Sequence, residues 1–231
     1  MQGVLLVDKP KGWTSFDVVN YVRKLLAQAL SVKPKTLKVG HTGTLDPLAS
    51  GLLIVLIGSH YTRRAQELSH LDKTYDVYAR LGQTSSTGDE EGEKQLISDR
   101  VPSTNEISAV LQNFSGELQQ TPPIYSAIKV QGQRAYQLAR AGQSVSLEPR
   151  TVKIYQNKLI SYQYPLVHFQ STVSSGTYIR SLVEDIGRQL QTGAYLADLC
   201  RTNIGQFTLK NAVTVQNIHP EQLASQLVTL D

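Results

Sequence analysis

The sequence predicts a mixed α/β protein whose strands are not all parallel, and three patterns point there. Residues 75–81 alternate Tyr75, Val77, Ala79 and Leu81 with Asp76, Tyr78 and Arg80, the period of a half-buried strand. Residues 15–29 place Val18, Val19, Val22, Leu25, Leu26 and Ala29 at helical spacing. Two strand-like runs, 152–160 and 166–173, follow one another directly, a succession that does not suit a purely parallel sheet.

The remaining elements follow in order. Residues 3–7 read as a short buried strand, and Ser15 as the cap of the first helix, which ends in the basic connection Lys33-Pro34-Lys35. The apolar run 52–57 is too short for a typical helix and rich in branched residues; it reads as a buried strand closed by Gly58. Residues 82–92 form a polar loop. Ser103-Thr104-Asn105-Glu106 has capping-box spacing ahead of Ile107, Val110, Leu111 and Phe114, an amphipathic helix. Thr121-Pro122-Pro123 breaks the chain, and residues 134–141 form a short helix stopped by Gly142. After the turn at Ser175-Gly176, Ile179, Leu182, Val183, Ile186 and Leu190 line one face of another helix. Residues 203–209 are a strand candidate, and Pro220 is placed to open a terminal helix at its first position. No internal repeat or low-complexity tract occurs.

At 231 residues the chain suits one large domain or two small ones. A single cysteine, Cys200, excludes an internal disulfide framework and any multi-cysteine metal site. The longest apolar run is far below the ~20 residues of a membrane span, and the N-terminus lacks a basic region and apolar core of signal-peptide kind. The expectation is a soluble protein of a reducing compartment. The net charge of +4 is unevenly spread: residues 1–80 carry 11 basic and 6 acidic side chains, residues 81–120 carry 2 and 7, and residues 121–231 carry 10 and 6. An acidic segment masks two basic ones, which permits a basic face for a polyanion. On charge alone the stretch near Asp89 reads as a solvated acidic loop.

Several chemistries are absent as motifs. No Walker A loop, no G-x-G-x-x-G, G-x-S-x-G or H-E-x-x-H pattern occurs, and the five histidines have no compact ligand spacing. The informative stretch is Gly40-His41-Thr42-Gly43-Thr44-Leu45-Asp46-Pro47-Leu48-Ala49-Ser50-Gly51, a structured loop able to approach a ligand closely. Taken alone, Asp46 before Pro47 is an ordinary helix cap with proline at the first helical position, and His41 an ordinary turn residue.

That loop resembles the signature of the tRNA pseudouridine-55 synthases of the TruB type. Four further segments resemble family motifs in the same order: Val7-Asp8-Lys9-Pro10-Lys11-Gly12-Trp13-Thr14-Ser15, Lys73-Thr74-Tyr75, Pro122-Pro123-Ile124-Tyr125-Ser126-Ala127-Ile128-Lys129, and Gly176-Thr177-Tyr178-Ile179-Arg180-Ser181-Leu182. The resemblance implies a pseudouridine synthase fold, an α/β (α+β) architecture with a central mixed, largely antiparallel sheet flanked by helices. It implies one catalytic domain over residues 1–231 with an inserted RNA-contacting segment around 120–150; longer family members add a C-terminal RNA-binding domain of the PUA type, and its absence here is the expected departure from the family pattern.

The implied reaction turns uridine 55 in the T arm of tRNA into pseudouridine without metal or organic cofactor. The resemblance makes Asp46 the nucleophile, ionised at neutral pH as aspartates ordinarily are. It makes Arg180 the carboxylate's partner, and Tyr75 a stacking residue on the target base. Tyr178 and Leu199 match pocket positions, His41 fills the space vacated by the flipped base, and Arg63 and Lys9 face RNA. Read without the resemblance, Arg180, Arg63 and Lys9 are surface charges, and Tyr75, Tyr178 and Leu199 core residues. A cytoplasmic monomer acting on free tRNA, away from membranes, is the expectation. The alternatives are a tRNA-folding chaperone and the catalytic subunit of an RNA-guided synthase.

Overall fold

A computed structural model of the protein describes residues 1–126, 128–130, 132–143 and 145–229. Ala127 of the Pro-Pro-Ile-Tyr-Ser-Ala-Ile-Lys motif lies outside the described residues, as does Asp231, the chain's end. The chain divides into two units, Met1–Tyr75 with Leu199–Asp231, and Asp76–Asp198.

In the first unit β1 (Gly3–Lys9) leads to α1 (Ser15–Leu30), and a 3-10 turn (Pro34–Thr36) to β2 (Val39–Thr42) and β3 (Ser50–Ile57). The short helices α2 (Ser59–Arg63) and α3 (Ala65–Ser69) precede β4 (Lys73–Leu81), along which the chain passes into the second unit. There β5 (Gln83–Ser85) and β6 (Lys94–Leu96) pair as a ribbon, followed by α4 (Thr104–Asn113) and β7 (Gly116–Gln120). Next come the short pair β8 (Lys129–Val130) and β9 (Gln133–Arg134), then α5 (Ala135–Arg140), the long strands β10 (Arg150–Gln163) and β11 (Leu166–Val173), and α6 (Ile179–Gln189). Strand β12 (Ala194–Ile204) returns the chain to the first unit, which ends with β13 (Phe207–Thr208), β14 (Val213–Thr214) and α7 (Leu223–Gln226). The mixed α/β class and the largely antiparallel pairing are as the sequence predicts. Only β1–β14 and β3–β12 pair in parallel among the strand pairs whose direction is described.

Residues 4–7 of β1 and 52–57 of β3 are apolar without a break because both faces of these runs are covered. On one face Leu5, Val7, Leu53 and Val55 pack with Val18, Val19, Val22 and Leu26 of α1. On the other, Val4, Leu6, Leu52, Ile54 and Leu56 meet Tyr61, Leu68, Ile204 and Phe207. The two strands pair antiparallel with Leu5 opposite Val55. On its other edge β3 has two successive neighbours. β2 runs beside its second half, Thr42 opposite Ile54, and β12 takes over at its start, Arg201 opposite Gly51. The signature loop, residues 43–49, arches out where one neighbour leaves and the other enters.

In the second unit β10 pairs with β11 on one side and β7 on the other. Helix α4 lies against β10 and α6, burying Ile107 and Leu111 at 0% and 1% exposure. Its capping box forms as read: the Ser103 hydroxyl accepts from Glu106 N–H, and the Glu106 carboxylate accepts from Ser103 N–H at 2.8 Å.

Several elements differ from the sequence reading. The cap of α1 is Thr14, boxed with Asp17, while Ser15 is the first helical residue with its hydroxyl turned inward. Asp46 and Pro47 open no helix; the Ala49 N–H donates to the Asp46 carbonyl in a turn. The stretch read as 203–209 is the end of β12, a turn at Gly205 and β13. Pro220 starts a turn, and α7 begins at Leu223 with Gln222 as its cap. Residues 82–92 are not loop throughout, since β5 occupies part of them.

Replacing Ser103 with alanine removes one half of the α4 box and is expected to lower the unfolding free energy by about 1 kcal/mol. Urea denaturation read by circular dichroism checks this, and an unchanged midpoint would contradict the cap assignment.

Candidate active site

The first unit holds Asp46 on a loop fastened from several sides. Ser15 Oγ accepts from Leu45 N–H at 2.9 Å and donates to Leu45 O at 3.2 Å, gripping the residue before Asp46. The Gly12 N–H donates to the Pro47 carbonyl at 2.7 Å, gripping the residue after it. Asp46 itself is half-buried between buried Leu45 and exposed Pro47. The loop enters through Gly43, whose φ of +68° is a left-handed conformation open to glycine at little cost. Chain geometry thus fixes the carboxylate's base while leaving it partly accessible.

Behind this loop lie the buried cations Lys9, Lys73 and Arg201. Lys9, expected at the RNA face, is fully buried and donates to Trp13 O at 2.6 Å and Pro10 O at 3.0 Å. Its ammonium braces the turn that Gly12 uses to hold Pro47. Burial pushes it down to about 8, against the opposing attraction of Asp46, and the positive charge of Arg201 pushes the same way as burial. Lys73, two residues before Tyr75, is also buried and donates to Ser69 O at 2.6 Å and Leu71 O at 2.5 Å. Burial, then Arg201, pushes it down to about 8. Arg201, 1% exposed, donates through Nε to Leu52 O and through Nη2 to Gly43 O, both at 2.8 Å.

His41, on β2, is held below the usual imidazole range by burial and then by Arg201. Its Nδ1 is buried with no hydrogen-bond partner among the described residues. Tyr75 and Leu199 are each 8% exposed, and Arg63 is exposed at the end of α2. Asp46, Tyr75, Leu199, His41, Lys9 and Arg63 therefore share the first unit.

The second unit holds Tyr178 and Arg180 at the start of α6. Gln120 clamps Tyr178 by its backbone: Gln120 Oε1 accepts from Tyr178 N–H at 2.7 Å, and Nε2 donates to Tyr178 O at 3.0 Å. Arg180 is 6% exposed and donates to Tyr125 O at 2.8 Å and Thr87 O at 3.2 Å, with Asp89 Oδ2 3.5 Å from Nη1. Asp89, read as part of a solvated loop, is 4% exposed and also accepts from the Thr87 hydroxyl and the Glu91 N–H. Burying a carboxylate requires such donors, so the start of the acidic run is interior structure.

Sequence reasoning missed Ser15 as a loop anchor, Gln120, Lys73, Asp89 and Arg201. Lys73 opens a quoted motif and Gln120 lies two residues before another, which was the available signal; Arg201 lies in no quoted motif.

The mixed, largely antiparallel sheet is the architecture of pseudouridine synthases. A chain of a Cbf5–Nop10–Gar1 complex superposes with a TM-score of 0.71 at 32% identity, over 93% of this chain and 53% of that one. This chain therefore spans about half the length of that structure. A model for the TruB family pseudouridylate synthase N-terminal domain matches residues 28–179, and one for the tRNA pseudouridylate synthase B C-terminal domain matches 180–228. The tRNA pseudouridine synthase B of Chlamydia pneumoniae is 41% identical over 212 residues, 92% of this chain and 86% of that protein. That of Burkholderia lata is 44% identical over 230 residues, 98% of this chain and 67% of that protein. The chain belongs to the TruB family of pseudouridylate synthases. Among the described residues no group of His, Cys, Asp and Glu is arranged to hold a metal ion, and no helix is long and apolar enough to cross a membrane.

The depressed lysines give the folded state a pH signature. Below about pH 8 folded and unfolded chains both carry these charges; between about 8 and the ordinary lysine value of 10.5 the unfolded chain binds more protons. Stability should rise with pH across that window. The rise should shrink in Lys9→Met, and urea midpoints between pH 7.5 and 10.5 measure it. An unchanged slope would show that Lys9 is not a source of the effect.

Proposed function

We propose that this protein isomerises uridine to pseudouridine at position 55 in the T-arm loop of tRNA, with Asp46 as nucleophile. The observation that carries the reading is the fastening of the Asp46 loop. Ser15 and Gly12 hold the residues on either side, and the carboxylate stays half-exposed among buried cations. Relatives named tRNA pseudouridine synthase B, at 41–44% identity, favour tRNA as the substrate. The chain is less similar, at 30%, to one in an H/ACA ribonucleoprotein bound to a substrate RNA.

In the reaction the N1–C1′ glycosidic bond breaks, the uracil turns, and a C5–C1′ bond forms. The proton leaves C5 and N1 ends protonated, so substrate and product are isomers. Extruding the uridine from its stack costs a few kcal/mol, which contacts to the flipped base and to phosphates offset. Tyr75 stacks on that base, Tyr178 and Leu199 wall the pocket, and His41 takes the vacated space. Arg180 serves as the partner of the Asp46 carboxylate, and exposed Arg63 contacts phosphate. Lys9 has a different part: buried and bound to two carbonyls, it supports the loop from behind. We read residues 1–231 as one catalytic domain with an RNA-contacting insertion around 120–150, working in the cytoplasm.

Release of tritium from C5-labelled uridine in an unmodified tRNA transcript tests the activity. Wild-type protein should release it, and a transcript lacking the T-loop target uridine should release none. Asp46→Asn should bind tRNA with affinity within about threefold of wild type and form no product. Full activity in that variant would overturn the nucleophile assignment.

A further inference from the structure

We propose that Arg201 is a positioning residue for the Asp46 carboxylate, its buried guanidinium stapling together the two ends of the loop that carries the aspartate. The inference rests on the reading of Asp46 as the nucleophile.

The two carbonyls that accept from Arg201, Gly43 O and Leu52 O, flank residues 44–51. They lie where β2 has left the edge of β3, so the hairpin ladder that pairs Thr42 with Ile54 no longer runs between the two ends. A buried carbonyl without a donor is costly. Here one planar fork serves both sides at once, and its rigid spacing sets the distance between them. An ammonium on a flexible stem supplies no such fixed span.

The fit is built into the neighbouring backbone. A Cβ on Gly43 would stand 3.4 Å from the guanidinium, and one on Gly51 would stand 2.4 Å from the Arg201 carbonyl oxygen. Both glycines have positive φ, +68° and +102°. The next residue extends the same task to Tyr75: the Thr202 hydroxyl donates to Thr74 O at 3.2 Å. One stretch of β12 thus fastens the supports of two residues assigned to the chemistry and contributes Leu199 as a third.

A nucleophile must be held near its attack geometry, and a displacement of about 1 Å can cost about 100-fold in rate. Arg201 therefore acts on the carboxylate through the loop. Its loss should fall on kcat and leave tRNA affinity alone.

The test compares wild type, Arg201→Lys, Arg201→Ala and Asp46→Asn by tritium release, tRNA filter binding and amide hydrogen exchange. In Arg201→Lys, kcat is expected to fall about 10- to 100-fold. KM and tRNA affinity should stay within about twofold of wild type, on the reading that the residue acts on geometry alone. Amides of residues 44–51 should exchange faster, while those of β10 and β11 are unchanged. If Arg201→Ala does not fold, Arg201→Lys, which keeps the stem and the buried charge, decides. A folded Arg201→Lys with wild-type kcat, a loss confined to KM, or unchanged loop exchange would each overturn the proposal. Asp46→Asn separates the two layers. If it is fully active, the site reading has failed; if it is dead while Arg201→Lys is fully active, only the positioning role has failed.

Discussion

The first unit is organised around one close approach, the backbone of Gly51 against that of Arg201. A side chain at Gly51 would come within 2.4 Å of the Arg201 carbonyl oxygen, and the φ of +102° further restricts the position to glycine. This contact lets β12 join the edge of β3 where β2 departs. The departure creates the loop, and the arrival supplies the arginine that closes it. Spacing β12 away from β3 at this point would cost the parallel pairing, the guanidinium bridge and the support beneath the signature loop together.

Elements whose stability comes from a local pattern were legible in the sequence. The α4 capping box needs only Ser103 and Glu106 three residues apart, and β1 and β3 announce themselves by uninterrupted apolar runs. Strand β12 was not legible because its interior positions include Arg201, whose burial makes sense only once the carbonyls of Gly43 and Leu52 are beside it. The cap of α1 was misread by one residue for a related reason. Thr14 and Ser15 carry equivalent hydroxyls, and only the distant Leu45 backbone reveals that Ser15 is committed elsewhere.

The candidate site divides the same way. Asp46, Tyr75, Tyr178 and Arg180 were named because the motifs around them resemble a family, and unaided spacing had assigned them to caps, core and surface. What the motifs did not contain was the support: Ser15 holding Leu45, Gln120 clamping Tyr178, Asp89 facing Arg180. Those partners are 30, 58 and 91 residues from the groups they hold, so no local pattern could pair them.

Charge counting changes its meaning once burial is known. Residues 1–80 carry 11 basic side chains, yet Lys9 and Lys73 are interior and spend their donors on carbonyl oxygens. Asp89 is likewise withdrawn from the acidic segment. A polyanion meets only what reaches solvent, in the first unit Lys11, Lys24, Lys33, Lys35, Lys38 and Arg63 among others. The interior cations have a different use. Each is anchored by neutral carbonyls, which satisfy its donors without cancelling its charge, so a positive field persists inside the first unit. Burial does most to depress His41, Lys9 and Lys73, and the charge of Arg201 adds to it in each. Of these cations, Lys9 is the one that Asp46 attracts. The side chain that braces the turn holding Pro47 is therefore also the cation drawn to the carboxylate that the loop carries.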